Sequence, residues 1–298
     1  MDDVSILIRT KNEARWLPVT VRAIHRQRVQ PREIVVVDSG STDGTLDTVT
    51  GLPGVRIHPI PPEAFTYGRA LNLGFREAAG RYVACLSAHA VPASPDWLRF
   101  LLEPFKDAHV AGAYGRQLSH RDAYPAVARE YLEYYGCESR LQTSPSDHCF
   151  SNANSAIRKE AWVEVPFDET VPYCEDQLWA RTVLGAGHRV AYVPEAAVYH
   201  SHNEPLAGVY RRARQEEMGW RRLYPDRVVG FRFSWDNWVA NVARDARFIR
   251  RHGYARAWVV HTALFRLAQC LGRLQPHLVG AKRPGPDPHP PATAGLCG

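Results

Sequence analysis

Two short, mainly apolar runs lie near the start of the chain, Val4–Ile8, interrupted only by Ser5, and Ile34–Val37. Between them Leu17, Val21 and Ile24 recur at the spacing of one helix face. Near-continuous runs of branched residues suit strands covered on both faces, and an i, i+4, i+7 spacing suits an amphipathic helix. The pattern predicts a strand at Val4–Ile8, a helix over Ala14–Arg28 and a strand at Glu33–Asp38, which is a βαβ unit with a parallel sheet. Strands at Val55–Ile60 and Tyr82–Leu86 follow. A helix over Tyr67–Ala79, closed by Gly80, precedes the second of them, and another spans Asp96–Phe105. Farther on, Val110–Gln117, Asn154–Arg158 and Val190–Val193 read as strands, Ala123–Glu138 and Asp176–Leu184 as helices. From Pro205 the pattern is helical and rich in arginine, and Pro284–Gly298 has the Pro/Gly/Ala composition of a disordered tail. The expected organisation is an α/β domain over 1–204, a basic helical extension over 205–283 and a tail over 284–298.

Charge sharpens that division. The 298 residues carry a formal net charge of +6, but residues 205–283 hold 16 Lys/Arg against five Asp/Glu, and residues 1–204 hold 21 against 25. The basic part also carries Trp235, Trp238, Phe248, Trp258 and Phe265. Two readings stay open for it: an amphipathic surface lying on an anionic membrane, or a helical subdomain packed on the α/β domain with solvated arginines. No nucleic-acid module is legible there. No apolar run approaches the roughly 20 residues of a membrane span, and Val4–Ile8 is too short for the apolar part of a signal peptide. The six cysteines form no C-x-x-C pair, which argues against a zinc ribbon or redox motif. The expected location is the cytoplasm, including the inner face of the membrane.

Four segments carry candidate chemistry. Asp38-Ser39-Gly40-Ser41-Thr42-Asp43-Gly44-Thr45 follows the second strand. Ligands bind beyond the carboxyl ends of such strands, so Asp38 is placed to accept hydrogen bonds from a base or ribose. Asp43 reads as a helix cap. Arg69 and Asn72 share one face near a helix N-terminus, within reach of a phosphate or ribose, or else are a solvated arginine and a structural asparagine. Ser151-Asn152-Ala153-Asn154-Ser155 is either a contact for sugar hydroxyls or a turn. Glu175 and Asp176 open a helix, where a carboxylate also suits the helix dipole. No G-x-G-x-x-G follows the first strand, which argues against a dehydrogenase.

Arg9-Thr10-Lys11-Asn12-Glu13 after strand one, the Asp38–Thr45 loop, the Asn72-Leu73-Gly74 helix, the strand that runs into His89 and the Glu175-Asp176 pair occur in the order found in inverting GT-A glycosyltransferases of family 2. The chain resembles that family over about residues 4–204, with rhamnosyltransferase-like features around Asn72. The resemblance implies a Rossmann-like α/β sheet flanked by helices and a nucleoside-diphosphate sugar donor, UDP- or dTDP-linked. Acceptors of such enzymes are glycans, lipid-linked intermediates or natural products. It implies that Thr10, Glu13 and Asp38 contact the nucleotide, that Ser87, Ala88 and His89 lie at the diphosphate, and that Asn154 lies at the sugar. It also implies that Asp176 is the general base, with Glu175 beside it. One departure stands out: Ser87-Ala88-His89 occupies the place of the family's Asp-x-Asp, whose last carboxylate holds a divalent metal, Mn²⁺ or Mg²⁺. His89 is then a metal ligand, a diphosphate contact or a structural histidine. His200, with His202 second, is its partner by spacing. Two rival readings remain, a sugar nucleotidyltransferase and a non-catalytic sugar-nucleotide-binding scaffold.

Overall fold

The computed structural model describes residues 3–278; the tail expected over 284–298 lies outside the described residues. The chain divides into two compact units. Among the described residues, the first comprises 3–118, Tyr135–Val171 and Glu175–His200, the second Ser119–Tyr134, Pro172–Cys174 and 201–278. The division is thus not a single cut at residue 204, because two upstream segments join the second unit.

The first unit is built on a nine-stranded sheet: β1 (Val4–Thr10), β2 (Glu33–Asp38), β3 (Val55–Pro59), β4 (Tyr82–Ser87), β5 (Val91–Pro92), β6 (Val110–Leu118), β7 (Arg140–Gln142), β8 (Asn154–Arg158) and β9 (Arg189–Tyr199). The order is β3-β2-β1-β4-β8-β6-β9-β5, with β7 paired to β9. Strands β3, β2, β1, β4, β6 and β9 run in one direction, and β8 is inserted antiparallel between β4 and β6. β2 is buried along its whole length and β1 nearly so, as their apolar centres predict, with Ser5 Oγ donating to Glu33 at 2.8 Å. Helices α1 (Leu17–His25), α2 (Tyr67–Glu77), α3 (Trp97–Leu102), α5 (Lys159–Glu164) and α6 (Glu175–Gly185) accompany the sheet. Leu17, Val21 and Ile24 of α1 are fully buried in one cluster with Ile6, Ile34 and Val36, so the face predicted by spacing is the face that packs.

The structure extends several predicted strands. β9 continues from Val193 through Pro194 to Tyr199. A proline cannot donate to the ladder, so periodicity alone stops there. Here the pairing with β6 jumps from Gly115↔Val193 to Gln117↔Val198, and the irregularity absorbs the proline. Gly115 is required at that point: a Cβ would lie 2.0 Å from the Ala196 carbonyl oxygen and 2.4 Å from the Asn154 amide nitrogen. The helix expected over Ala14–Arg28 is shortened to Leu17–His25, with a proline in its first turn.

The second unit is helical: α4 (Pro125–Tyr134), α7 (Leu206–Leu223), α8 (Phe231–Arg251) and α9 (Trp258–Leu278). Ala123, Ala126, Val127, Val209 and Phe265 form its apolar cluster. Beside it lies a buried charge cluster. Asp245, wholly inaccessible to solvent, accepts from Arg129 Nε and from Arg266 Nε at 2.6 Å. Arg266 also pairs with Glu130, and Arg129 with Glu133 and with Asn241 Oδ1 at 2.9 Å. Among the described residues no helix is long and apolar enough to cross a membrane.

Candidate active site

Parallel pairing decides where the chemistry collects. In register, Thr10 faces Asp38 and Arg9 faces Ser87, so β1, β2 and β4 all end at one edge. β6 and β9 end there too, at Leu118 and Tyr199, one residue before His200. The antiparallel β8 begins at that edge with Asn154, opposite Leu86. This carboxyl edge is where open α/β sheets bind ligands.

On its β1–β2 side two loops are stitched together. Asp38 Oδ2 accepts the amides of Gly40 (2.9 Å) and Ser41 (3.0 Å). Asn12 Oδ1 accepts the Thr42 amide at 2.8 Å, and Asn12 N donates to Ser41 Oγ at 2.9 Å. Gly40 has φ +86°, and a Cβ there would also strike Pro62, so glycine is needed. Asp43 accepts from Thr45 N (3.0 Å) and Ala14 N (3.1 Å), which ties the two loops together; the short helical turn Leu46–Thr48 has Thr45 at its N-cap, so Asp43 is not the helix cap its position suggests. The Thr45 hydroxyl first, and these amides with it, hold its carboxyl below the usual range. Thr10 Oγ1 is buried at the end of β1 with no hydrogen-bond partner among the described residues.

At the end of β4, Glu13 Oε1 lies 2.8 Å from His89 Nδ1. His89 stacks on His200, with ring centroids 4.7 Å apart and planes 13° apart. The ligand atoms of the two rings lie within 4.8 Å of each other. Gln117 Oε1 lies 2.7 Å from His200 Nδ1, and Gln117 Nε2 donates to Ser151 Oγ at 2.9 Å. Two imidazoles side by side are a donor set for a borderline divalent ion.

Glu175 and Asp176 open α6. The chain enters that helix through Cys174 at φ 64°, a left-handed conformation rare for a residue with a side chain. Glu175 is buried and faces Arg9 Nη1 at 3.4 Å. Asp176 is half-buried; it accepts from Asn152 N at 3.2 Å and Gln177 N at 2.8 Å. Loss of water and then the Glu175 charge push its pKa up to about 7, against the pull of those amides and of Arg9. Two adjacent carboxylates share one cation, so the pair holds a proton near neutrality.

Two expected ligand contacts are otherwise engaged. Asn154 is fully buried: its amide donates to Arg116 O (3.1 Å) and Ala196 O (2.7 Å), and its oxygen accepts from Trp97 Nε1 (2.9 Å). Asn72 holds Phe167 O, Glu169, Trp162 Nε1 and Phe167 N. Both side chains use every donor and acceptor on structure. Spacing alone could not separate Asn154 from Asn152, whose buried Nδ2 has no partner among the described residues. Arg69 is half exposed and pairs with Glu169 at 3.0 Å. Ser87 ends β4, while the Ala88 carbonyl accepts from Thr20 Oγ1 at 2.8 Å. Sequence reading gave no signal for Gln117.

Comparison with known proteins agrees with this geometry. Residues 5–165 match the profile described as Glycosyl transferase family 2. The chain is 30% identical over 209 residues to the O-antigen chain rhamnosyltransferase RfbN of Salmonella typhimurium, covering 67% of each. It is 29% identical over 214 residues to WbaN of Salmonella anatum, an O-antigen chain rhamnosyltransferase, covering 68% of this chain and 67% of that one. In fold it is similar to the mannosyltransferase PcManGT from Pyrobaculum calidifontis in complex with GDP-Man and Mn²⁺ (TM-score 0.62, 21% identity, 91% of this chain and 87% of that one). It is also similar to glucosyl-3-phosphoglycerate synthase from Mycobacterium tuberculosis in complex with Mn²⁺, UDP-glucose and phosphoglyceric acid (TM-score 0.53, 20% identity, 74% and 79%). The family match decides against the nucleotidyltransferase reading: this chain belongs to glycosyltransferase family 2, on a GT-A fold, and is an enzyme of sugar transfer.

Proposed function

We propose that the protein transfers a sugar, with inversion, from a nucleoside-diphosphate sugar to an acceptor hydroxyl, and that Asp176 is the general base. The observation that carries this is the Glu175–Asp176 pair at the carboxyl edge, with Asp176 raised to about 7. A base is most effective when its pKa lies near the working pH. Deprotonated Asp176 takes the acceptor's proton as the oxygen attacks the anomeric carbon, and the nucleoside diphosphate leaves from the opposite face. Arg9 nearby favours the charged form of Asp176, though less than burial and Glu175 oppose it. The rhamnosyltransferase relatives favour a deoxyhexose such as rhamnose as the sugar and a glycan as the acceptor. UDP and dTDP are the leading nucleotides, with Asp38 and the unpartnered Thr10 hydroxyl as contacts and Arg69 near the phosphates. Asn152, not Asn154, is the side chain with a donor to offer the sugar or acceptor.

His89 and His200 are the residues that would hold a divalent ion, and imidazole nitrogens fit Mn²⁺ better than Mg²⁺. Such an ion supplies charge compensation for the departing diphosphate.

The second unit supports peripheral contact with an anionic bilayer. On α8, Phe231, Phe233 and Trp235 are 72%, 59% and 52% exposed, with Arg232 exposed among them. Residues 205–278 carry 14 arginines against five acids. Apolar side chains interleaved with cations suit an acidic lipid surface. Cosedimentation with phosphatidylglycerol vesicles, lost on phosphatidylcholine, is the expected result; equal recovery in the supernatant with both would remove this contact.

The transfer reading is tested by replacing Asp176. Asp176→Asn is expected to keep its melting temperature and its thermal shift with nucleotide, yet lose transfer. Near-normal turnover would remove the base assignment. No shift of the wild-type protein with UDP, dTDP or GDP would return the scaffold reading.

A further inference from the structure

The Glu13–His89 contact has a chemistry of its own. A carboxylate only accepts hydrogen bonds, so the ring nitrogen 2.8 Å from Glu13 Oε1 carries the hydrogen. The lone pair of His89 is thereby placed on Nε2. His200 repeats the arrangement from another strand. Gln117 spends its amide nitrogen on Ser151 Oγ, which turns Gln117 Oε1 toward His200 Nδ1 at 2.7 Å. Gln117 and His200 are both buried, so water does not compete for these bonds. Two stacked rings therefore both have Nδ1 tied back, which places the lone pair of each on Nε2.

We propose that Glu13 is a positioning residue that locks His89 as the Nδ1–H tautomer, with Gln117 doing the same for His200, so that the site selects its divalent ion through imidazole nitrogen. The proposal rests on the reading of this pair as the ion site of the donor diphosphate. It gives Glu13 a role other than the nucleotide contact that the family resemblance implies. The negative charge that an aspartate at position 89 would bring directly is restored one bond farther out, on Glu13. Carboxylate-backed histidines of this kind raise ligand basicity, and loss of the outer partner typically weakens metal binding about 10- to 100-fold. Nitrogen ligands also favour Mn²⁺ or Co²⁺ over Mg²⁺, which prefers oxygen.

The test uses the full chain, stripped of metal, without nucleotide, titrated with Co²⁺ and followed by its visible absorption. The wild type is expected to bind Co²⁺ with a spectrum of nitrogen ligation that excess Mg²⁺ does not displace. Glu13→Ala is expected to bind about 10- to 100-fold more weakly. Glu13→Asp should recover part of the loss, and Gln117→Ala should weaken binding in the same direction. Glu13→Gln serves as the second variant should Glu13→Ala fail to fold. In parallel, the thermal shift with UDP or dTDP is measured without any ion. Retained nucleotide binding with weakened Co²⁺ binding is the expected outcome for Glu13→Ala. Unchanged Co²⁺ affinity with lost nucleotide binding would overturn the proposal and return Glu13 to the nucleotide. Absence of Co²⁺ binding in the wild type, or ready displacement by Mg²⁺, would overturn it too. Neither result touches the base assignment, which the Asp176→Asn turnover decides separately.

Discussion

Each unit buries charge, and the two do it in opposite ways. Around Asp245 in the helical unit, one fully buried carboxylate is met by two guanidinium groups, which are themselves held by Glu130, Glu133 and Asn241. Around Asp176 in the α/β unit, two adjacent carboxylates have one arginine near them, 3.4 Å from Glu175. The first cluster is saturated with partners. The second is short of positive charge and keeps a proton poised. Saturation makes structure; imbalance at a ligand edge makes chemistry.

Substitution should split the two clusters cleanly. Asp176→Asn removes the base and relieves repulsion; kcat is expected to fall about 10²- to 10⁴-fold with the melting temperature unchanged or raised. Asp245→Ala takes from two buried arginines the carboxylate they share and leaves each with one partly exposed glutamate, and chemical denaturation should show a loss of about 3–5 kcal/mol. The folded fraction of that variant should retain kcat. A large kcat loss in it, or a large stability loss in Asp176→Asn, would blur the comparison. A third replacement removes a saturated polar side chain within the α/β unit. Asn72→Ala leaves Trp162 Nε1 and the Phe167 amide without their acceptor, and should cost about 1–3 kcal/mol of stability. An effect confined to KM for donor would instead give Asn72 back to the ligand.

Smaller effects follow from pH and from the surface. Asp176 is raised in the folded protein above its ordinary value, so between about pH 4 and about pH 7 the folded state binds a proton that the unfolded state has lost. Stability should therefore fall as pH rises through that window, and the slope should flatten in Asp176→Asn, as measured by denaturation at several pH values. The exposed Arg28–Asp96 pair at 2.6 Å is the control: Arg28→Ala should change stability by less than about 1 kcal/mol.

Much of the α/β unit was legible because its first strands have short apolar centres and its loops carry glycines and acids at fixed places. Asp38, His89, His200, Glu175 and Asp176 all fall at or beside the carboxyl edge because strand ends and helix starts can be read locally. What escaped depends on partners far apart in sequence. Asn154 and Asn152 look alike on the page, and only the packing of Trp97 and the Ala196 carbonyl shows which one is consumed. Gln117 became visible only through the β6–β9 irregularity that sets it beside His200. β5 and β7 are two- and three-residue pairings, too short for any periodicity. The helical unit was read as basic, which its composition states. Its buried Arg129–Asp245–Arg266 cluster was not seen, since those residues lie on three separate helices.

The account turns on the proton held by the Glu175–Asp176 pair, and the pH dependence of kcat/KM reads it most directly. Activity should rise with pH through an apparent pKa of about 7, and Asp176→Asn should lose that limb together with the rate. A profile flat from about pH 5 to about pH 9, or the same limb surviving in Asp176→Asn, would contradict it.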